Sequence, residues 1–352
     1  MASLFKEFAY LDYVFPAPQY LGAKYRFRSW IQQFLPKGIR TAVDPFGGSM
    51  SVAYFLKQLG YRVFANDFMA FSAAIGTALV ENREDRLERT DVEMLFSENP
   101  DPHAYDLMRR IFTDVFFVES DTAFLDSYRG NVDRLKNPRK RALALAVMNR
   151  ALTRKVTMGH FAHTQALAYA ANPERVKRNR SLARPVKDIV LDLIPEYNAA
   201  VFDNGADCSS HRGDAVKYVA QMKNVDLAYF DPPYGSSHAD YQQFYHLLET
   251  YTEYWKDKSF VNGVKRYEPR RETGFDKKVT VLAALETLFE NAKDIPYWLL
   301  SYNDRSYPDV DTLASMVGRH RRVRVERKTY RESRGGKGSV AGSNEILIIG
   351  EP

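Results

Sequence analysis

The chain has 352 residues, 45% of them hydrophobic, with a mean hydropathy of −0.42 and a net charge of +6. That length holds one large or two modest domains, and the lack of any apolar run near about 18 residues excludes a membrane-spanning helix. A single cysteine, Cys208, excludes a disulfide framework and a cysteine zinc site and fits a reducing, cytoplasmic compartment; the opening MASLFKEFAYLDYVFP lacks the basic region and apolar stretch of a signal peptide.

Tyr25–Pro36 reads as a helix stopped by Pro36, and IRTAVDPF as a strand. SMSVAYFLKQLG has apolar residues at helical spacing and ends at Gly60, a residue suited to a helix terminus. YRVFANDF is the next strand and AFSAAIGTALVENR the next helix, so residues 1–85 open as a βαβ unit. From Arg83 to Asn204 the strand–helix rhythm stops. NPRKRALALAVMNRALTRK is a helix there, and Val156–Pro185 is loop-rich. We read residues 86–205 as an inserted, mainly helical domain. The rhythm resumes over 206–352, with VDLAYF as a buried strand, KKVTVLAALETLFENAK as a helix and YWLLSYN as a strand. RRVRVERKTYRE and NEILIIG form a final antiparallel pair around a Gly/Ser-rich loop.

Charge is distributed unevenly. Arg134–Lys187 holds fourteen Lys/Arg and one acid, Glu174; Arg319–Lys337 holds nine Lys/Arg and two acids. These stretches carry +13 and +7, so the remainder carries −14 against the total of +6. Two basic stretches on an otherwise acidic chain are the footprint of a polyanion partner. Arg139, Lys140, Arg154, Lys155, Lys177, Arg178 and Arg180 of the first stretch, with Arg334 and Lys337 of the second, are the expected nucleic-acid contacts.

DPFGGSMSVAYF, Asp44–Phe55, is a glycine-containing turn from a strand into a helix. Gly47 and Gly48 permit close approach of a ligand, but the three-glycine dinucleotide fingerprint is absent. Asp67 ends the following strand, about twenty residues beyond the glycines, where a ribose diol is often bound. The turn therefore points to a nucleoside cofactor without a pyrophosphate. Asp44 beside it suits a cationic amino group, and S-adenosylmethionine combines these features.

DPPY, Asp231–Tyr234, follows the strand VDLAYF. Its prolines stop the strand and stiffen the backbone that carries the acid and the ring. An exocyclic adenine amine is a poor nucleophile because its lone pair is delocalised. Asp231 and the carbonyl of Pro232 are suited to accept its two N–H bonds and localise that pair, Pro233 stiffens the turn, and Tyr234 is placed to stack on a base flipped out of the duplex. N4-cytosine methylation uses the same amine chemistry, although Asp231 stands where that class typically has serine. RNA adenine methylation and a non-catalytic DNA-binding module also stay open. Cytosine C5 chemistry requires a cysteine nucleophile, and Cys208 lies in a polar turn without the usual preceding proline.

With YLGAK (Tyr20–Lys24), DPFGGS, Asp67, RGDAVKYV (Arg212–Val219) and DPPY in this order, the sequence resembles the Dam-like, D12 class of DNA adenine-N6 methyltransferases. The resemblance covers both ends of the chain and leaves the middle variable. It implies an α/β, Rossmann-like class I methyltransferase core with an inserted helical target-recognition domain. It further implies methylation of adenine N6 in double-stranded DNA with S-adenosylmethionine, and leaves open a cognate restriction endonuclease as a partner. Carried over position by position, it puts Tyr20, Lys24, Asp44, Phe46, Gly47, Gly48, Asp67, Asp214 and Asp231 at the cofactor. Gly47–Gly48–Ser49 departs from the Gly-x-Gly common among relatives.

His160 and His163 are spaced for a metal pair, but no further ligands accompany them, and no metal is expected. Asn303, at the end of LSYND, is placed either to touch substrate or to form a turn. Tyr241, Phe244 and Tyr245 either wall a base pocket or pack in the core.

Overall fold

Leu227–Phe230 is buried along its whole length and lies at the middle of a seven-stranded sheet. The structure, a computed structural model, describes residues 10–157, 159–233, 240–330 and 343–352. The sheet comprises β1 (Thr41–Asp44), β2 (Arg62–Asp67), β3 (Ser209–Arg212), β4 (Leu227–Phe230), β7 (Tyr297–Asn303), β8 (Arg322–Tyr330) and β9 (Ser343–Glu351). β5 (Ser259–Val261) and β6 (Arg266–Glu268) form a separate hairpin. The order across the sheet is β3-β2-β1-β4-β7-β9-β8. The first five strands are parallel, and β9 lies antiparallel between β7 and β8. Strand order reverses between β1 and β4, which opens a crevice beyond their carboxyl ends, where open α/β sheets bind ligands.

Side-chain alternation divides the core into two layers. Ala42, Leu227, Tyr229, Leu299, Leu347 and Ile349 face one way, and Val43, Ala228, Phe230, Leu300, Ile346 and Ile348 the other. The second layer packs on helices Ala215–Ala220, Lys278–Asn291 and Val310–Gly318. The first layer receives helix Ser51–Gln58, all of whose residues are buried. It also receives the helices of the middle segment, chiefly Glu119–Arg134, Pro138–Arg154 and Val186–Ala199. The buried residues of the middle segment thus form one apolar cluster with a face of the sheet. Helix Pro138–Arg154 starts cleanly because Pro138 occupies its first turn and the Asn137 side chain accepts the N–H groups of Arg139 and Lys140.

Several elements depart from the sequence expectation, among them strand β3, which was not expected. The helix expected over Tyr25–Pro36 is a 3₁₀ turn, Lys24–Phe27, followed by the short helix Arg28–Gln32. The helix expected over 70–83 is α-helical only to Ile75 and continues as a wider π-helical turn, Gly76–Glu81. There Gly76 packs so closely on β3 that an added Cβ would overlap Ser210 Oγ. The β5–β6 hairpin was not expected. Its loop carries Asn262 and Lys265 at φ 56° and 57°, and Asn262–Gly263 is a hairpin signal legible in the sequence.

Candidate active site

Three parallel strands deliver acids to one crevice: β1 ends at Asp44, β2 at Asp67, and β4 leads into Asp231. All nine residues expected around the cofactor line this crevice, as does Pro233. In the glycine turn, Gly47 N–H donates to the carbonyl of Asn66 at 2.8 Å and Gly48 N–H to Asp67 Oδ2 at 2.7 Å. Gly48 has φ +51°, and a Cβ there would lie 3.2 Å from the ring of Tyr20. Asp67 Oδ1 accepts the N–H of Met69 at 2.7 Å. Burial pushes the Asp67 carboxyl up to about 6, against the opposing pull of those backbone donors.

Buried Asn66 ties the turn to the next wall of the crevice. Its Nδ2 donates to the carbonyls of Pro45 at 3.0 Å and Gly213 at 3.1 Å. The neighbouring Asp214 caps helix Ala215–Ala220 by accepting the N–H of Lys217 at 3.0 Å. Asp44 is 1% exposed, and burial, followed by the charge of Asp231, holds its carboxyl well above the usual range.

Lys24 reaches the centre of the crevice from the N-terminal segment. Its Nζ donates to Asp231 Oδ1 at 2.9 Å, to Asp231 Oδ2 at 3.0 Å and to the carbonyl of Gly22 at 3.0 Å, and lies 3.6 Å from Glu345 Oε1. Burial alone would lower the pKa of this ammonium, but the carboxylates of Asp231 and Glu345 more than reverse that and hold it well above its ordinary value. A stack of tyrosines flanks the crevice. Tyr20 lies parallel to Tyr245, with centroids 4.6 Å apart, and to Tyr241 at 5.6 Å. Leu21 N–H donates to the hydroxyl of fully buried Tyr245 at 2.7 Å, which fixes the Tyr20–Lys24 loop over the site. Tyr241 therefore lines the crevice, Tyr245 supports it from the core, and Phe244 packs on His160 instead.

Sequence reasoning missed part of the wall. Thr273, Phe275 and Asp276 close one side of the crevice, with Phe275 edge-on to Phe46 at 5.1 Å and Asp276 Oδ2 accepting the N–H of Thr273 at 3.0 Å. These residues carry no motif. Only the short polar turn GFD before a helix marks them. The sequence marks Glu345 only as part of a strand. Asn303 shows turn chemistry, its Oδ1 accepting the N–H of Arg305 at 2.9 Å. Cys208 is buried at the base of β2, where its sulfur accepts the N–H of Val63 at 3.4 Å, and burial pushes its thiol up. Among the described residues no cluster of three or more His, Cys, Asp or Glu could hold a metal.

The basic stretch is altered in space by acids from elsewhere in the chain. Lys155, expected as a nucleic-acid contact, is 8% exposed, with Nζ 3.1 Å from Asp121 Oδ2 and 2.7 Å from the carbonyl of Arg184, so it ties the end of helix Pro138–Arg154 to helix Glu119–Arg134. Lys140 pairs with Asp91 at 2.7 Å, Arg154 with Glu196 at 3.4 Å, and Arg139 lies 3.6 Å from Glu81 and 3.8 Å from Asp85. Lys177, Arg178 and Arg180 are exposed and make no ion pair among the described residues. Tyr234, Arg334 and Lys337 lie outside the described residues. Also among the described residues, no helix is long and apolar enough to cross a membrane.

The chain is 31% identical over 348 residues to the Type II methyltransferase M2.HphI of Haemophilus parahaemolyticus, covering 96% of this chain and 98% of that protein. It is 24% identical to the modification methylase LlaI of Lactococcus lactis subsp. lactis over 94% of this chain but 53% of that relative, and so spans about half its length. The family described as D12 class N6 adenine-specific DNA methyltransferase matches residues 20–316, a span that holds the glycine turn, all three strand-end acids and Lys24. The chain belongs to the D12 class of N6 adenine-specific DNA methyltransferases.

Proposed function

We propose that the methyl donor is S-adenosylmethionine, that the substrate is adenine in double-stranded DNA, and that Asp231 is the residue on which the reaction turns. The carrying observation is the convergence of Asp44, Asp67 and Asp231 beyond the carboxyl ends of strands flanking the switch point, with Lys24 bonded to both oxygens of Asp231. The crevice fits the donor chemically. Asp67 suits a ribose diol, Asp44 an ammonium group, and Phe46 and Phe275 an apolar ring face, while Gly48 lacks the Cβ that would crowd this surface. Bound there, S-adenosylmethionine supplies an activated methyl group on its sulfonium.

The residues of the chain orient the acceptor. The target adenine leaves the helical stack to reach the crevice. Asp231 and the carbonyl of Pro232 accept the N–H bonds of its amino group, directing the nitrogen lone pair at the donor. Pro232 and Pro233 keep both acceptors in place, and Tyr234 stacks on the base. As the nitrogen becomes cationic, the carboxylate of Asp231 gains most of its stabilising effect in the transition state. Residues 86–205 serve as the target-recognition segment between two parts of the catalytic core, 1–85 and 206–352. Lys177, Arg178 and Arg180 contact phosphates there; Arg334 and Lys337 are proposed to do so from the second basic stretch. The modification and Type II names of the relatives favour a companion restriction endonuclease.

The test is methyl transfer from labelled S-adenosylmethionine to duplex DNA, followed by nucleoside analysis. Wild type should yield N6-methyladenine, and Asp231→Asn should be slower by about 10²–10³-fold, the usual loss for one preorganised electrostatic contact. A different methylated base, or a folded Asp231→Asn enzyme at wild-type rate, would refute the reading.

A further inference from the structure

Glu345 enters the site from β9, on the far side of the sheet from the glycine turn. It is 2% exposed, yet its neighbours on the same sheet face, Leu347 and Ile349, are apolar. An apolar side chain would continue that face, so packing does not call for a carboxylate. Glu345 has two polar partners instead: Oε1 accepts the hydroxyl of fully buried Ser301 at 2.7 Å and lies 3.6 Å from Lys24 Nζ. A continuous chain of polar side chains, Ser301–Glu345–Lys24–Asp231, therefore runs from the sheet interior to the first residue of DPPY. Buried charge of this kind is costly unless it is compensated, and Lys24 compensates two carboxylates at once.

We infer that Glu345 is a positioning residue for methyl transfer, dividing the charge of Lys24 between two carboxylates so that Asp231 is held in place while the triad keeps a net negative charge. With Glu345 ionised, Asp231, Lys24 and Glu345 sum to −1; with Glu345 protonated they sum to zero. A cationic amine forming against Asp231 is stabilised by the first state and much less by the second. Burial, then the charge of Asp231, raises the Glu345 carboxyl to about 7, which brings this change into the working range. Other ionisable groups surround the triad. Burial holds the hydroxyl of Tyr229 well above its ordinary value and that of Tyr241 at about 12; Lys328 is the cross-strand partner of Glu345; and Asp44 stands beyond Asp231.

The inference rests on Asp231 being the amine acceptor. It is tested with the full chain by measuring kcat from pH 5.5 to 9 at saturating S-adenosylmethionine and DNA. Wild-type kcat should rise through pH near 7 and then level off. Glu345→Gln should lack that rise and level off about tenfold or more below wild type, with KM for the cofactor within about twofold. Ser301→Ala removes a donor that favours the ionised carboxylate, so its rise should move to higher pH and recover the wild-type plateau. Glu345→Gln with the rise intact, whether at full rate or uniformly slowed, would overturn the inference. If Glu345→Gln does not fold, an unshifted profile in Ser301→Ala would overturn it. A wild-type profile in Glu345→Gln beside an inactive Asp231→Asn defeats this inference alone, whereas an active Asp231→Asn defeats the reading beneath it.

Discussion

Lys24 and Asp231, 207 positions apart in sequence, meet through both carboxylate oxygens at 2.9 and 3.0 Å. Lys24 is 4% exposed, and Asp231 retains one-fifth of its side-chain exposure. Lys24→Met should leave the carboxylates of Asp231 and Glu345 facing each other without a counter-ion. Breaking one side of a buried pair typically costs about 3–5 kcal/mol. Proton uptake by Glu345 softens that penalty, so urea denaturation at pH 8 should show a loss near the lower end of that range. At pH 6, where Glu345 is largely protonated, the loss should be smaller.

If the proposed cofactor role holds, Asp67 should set a second pH dependence, this time in cofactor binding. A carboxylate accepts hydroxyl hydrogen bonds more strongly than a neutral carboxyl. Its carboxyl is raised to about 6, so it is ionised above that pH and protonated below it. S-adenosylmethionine affinity measured calorimetrically should therefore rise as pH climbs from 5 through 6 and be flat above 7. Asp67→Asn should bind more weakly at pH 8 and lose the dependence, since charge-assisted bonds contribute about 1.5–3 kcal/mol each.

The exposed trio Lys177, Arg178 and Arg180 should carry the salt dependence of DNA binding. Replacing all three with alanine should reduce the slope of log K against log salt by about 0.9 for each phosphate no longer neutralised. Arg139→Ala with Lys140→Ala should change the slope little, because those side chains already face Glu81, Asp85 and Asp91. An equal effect from the two variants would place both groups on the phosphate backbone.

Tyr234 should tolerate phenylalanine and not alanine. A phenyl ring still stacks on a flipped base, and such stacking contributes roughly 1–3 kcal/mol. Tyr234→Phe should keep near wild-type kcat/KM under single-turnover conditions, and Tyr234→Ala should lose about tenfold or more.

Residues that act through local chain geometry were legible in the sequence. The turn at Asp44–Gly48 shows because strand, glycine and helix signals follow one another, and DPPY shows because prolines end a buried strand. Asp67 shows because it closes the neighbouring strand. Partnerships across the chain were not legible. Glu345 reads as one polar residue in NEILIIG, and only the placement of β9 between β7 and β8 brings it to Lys24. The ion pair of Lys155 was hidden for the same reason: its counter-ion, Asp121, lies outside the basic stretch. The π-helical turn at Gly76–Glu81 was also hidden, because the close packing of Gly76 on Ser210 joins segments far apart in sequence.

The insertion of β9 between β7 and β8 also bears on biosynthesis. Among the described residues, β8 pairs along its length with β9 and with no other strand in the sheet. A nascent chain that has emerged only as far as β8 therefore has DPPY and the glycine turn outside the ribosome but lacks the strand that seats Glu345 and completes the sheet edge. Such a chain does not yet contain Glu345, the second carboxylate beside Lys24. The segment 343–351 thus supplies the second carboxylate of the Lys24 ion-pair network.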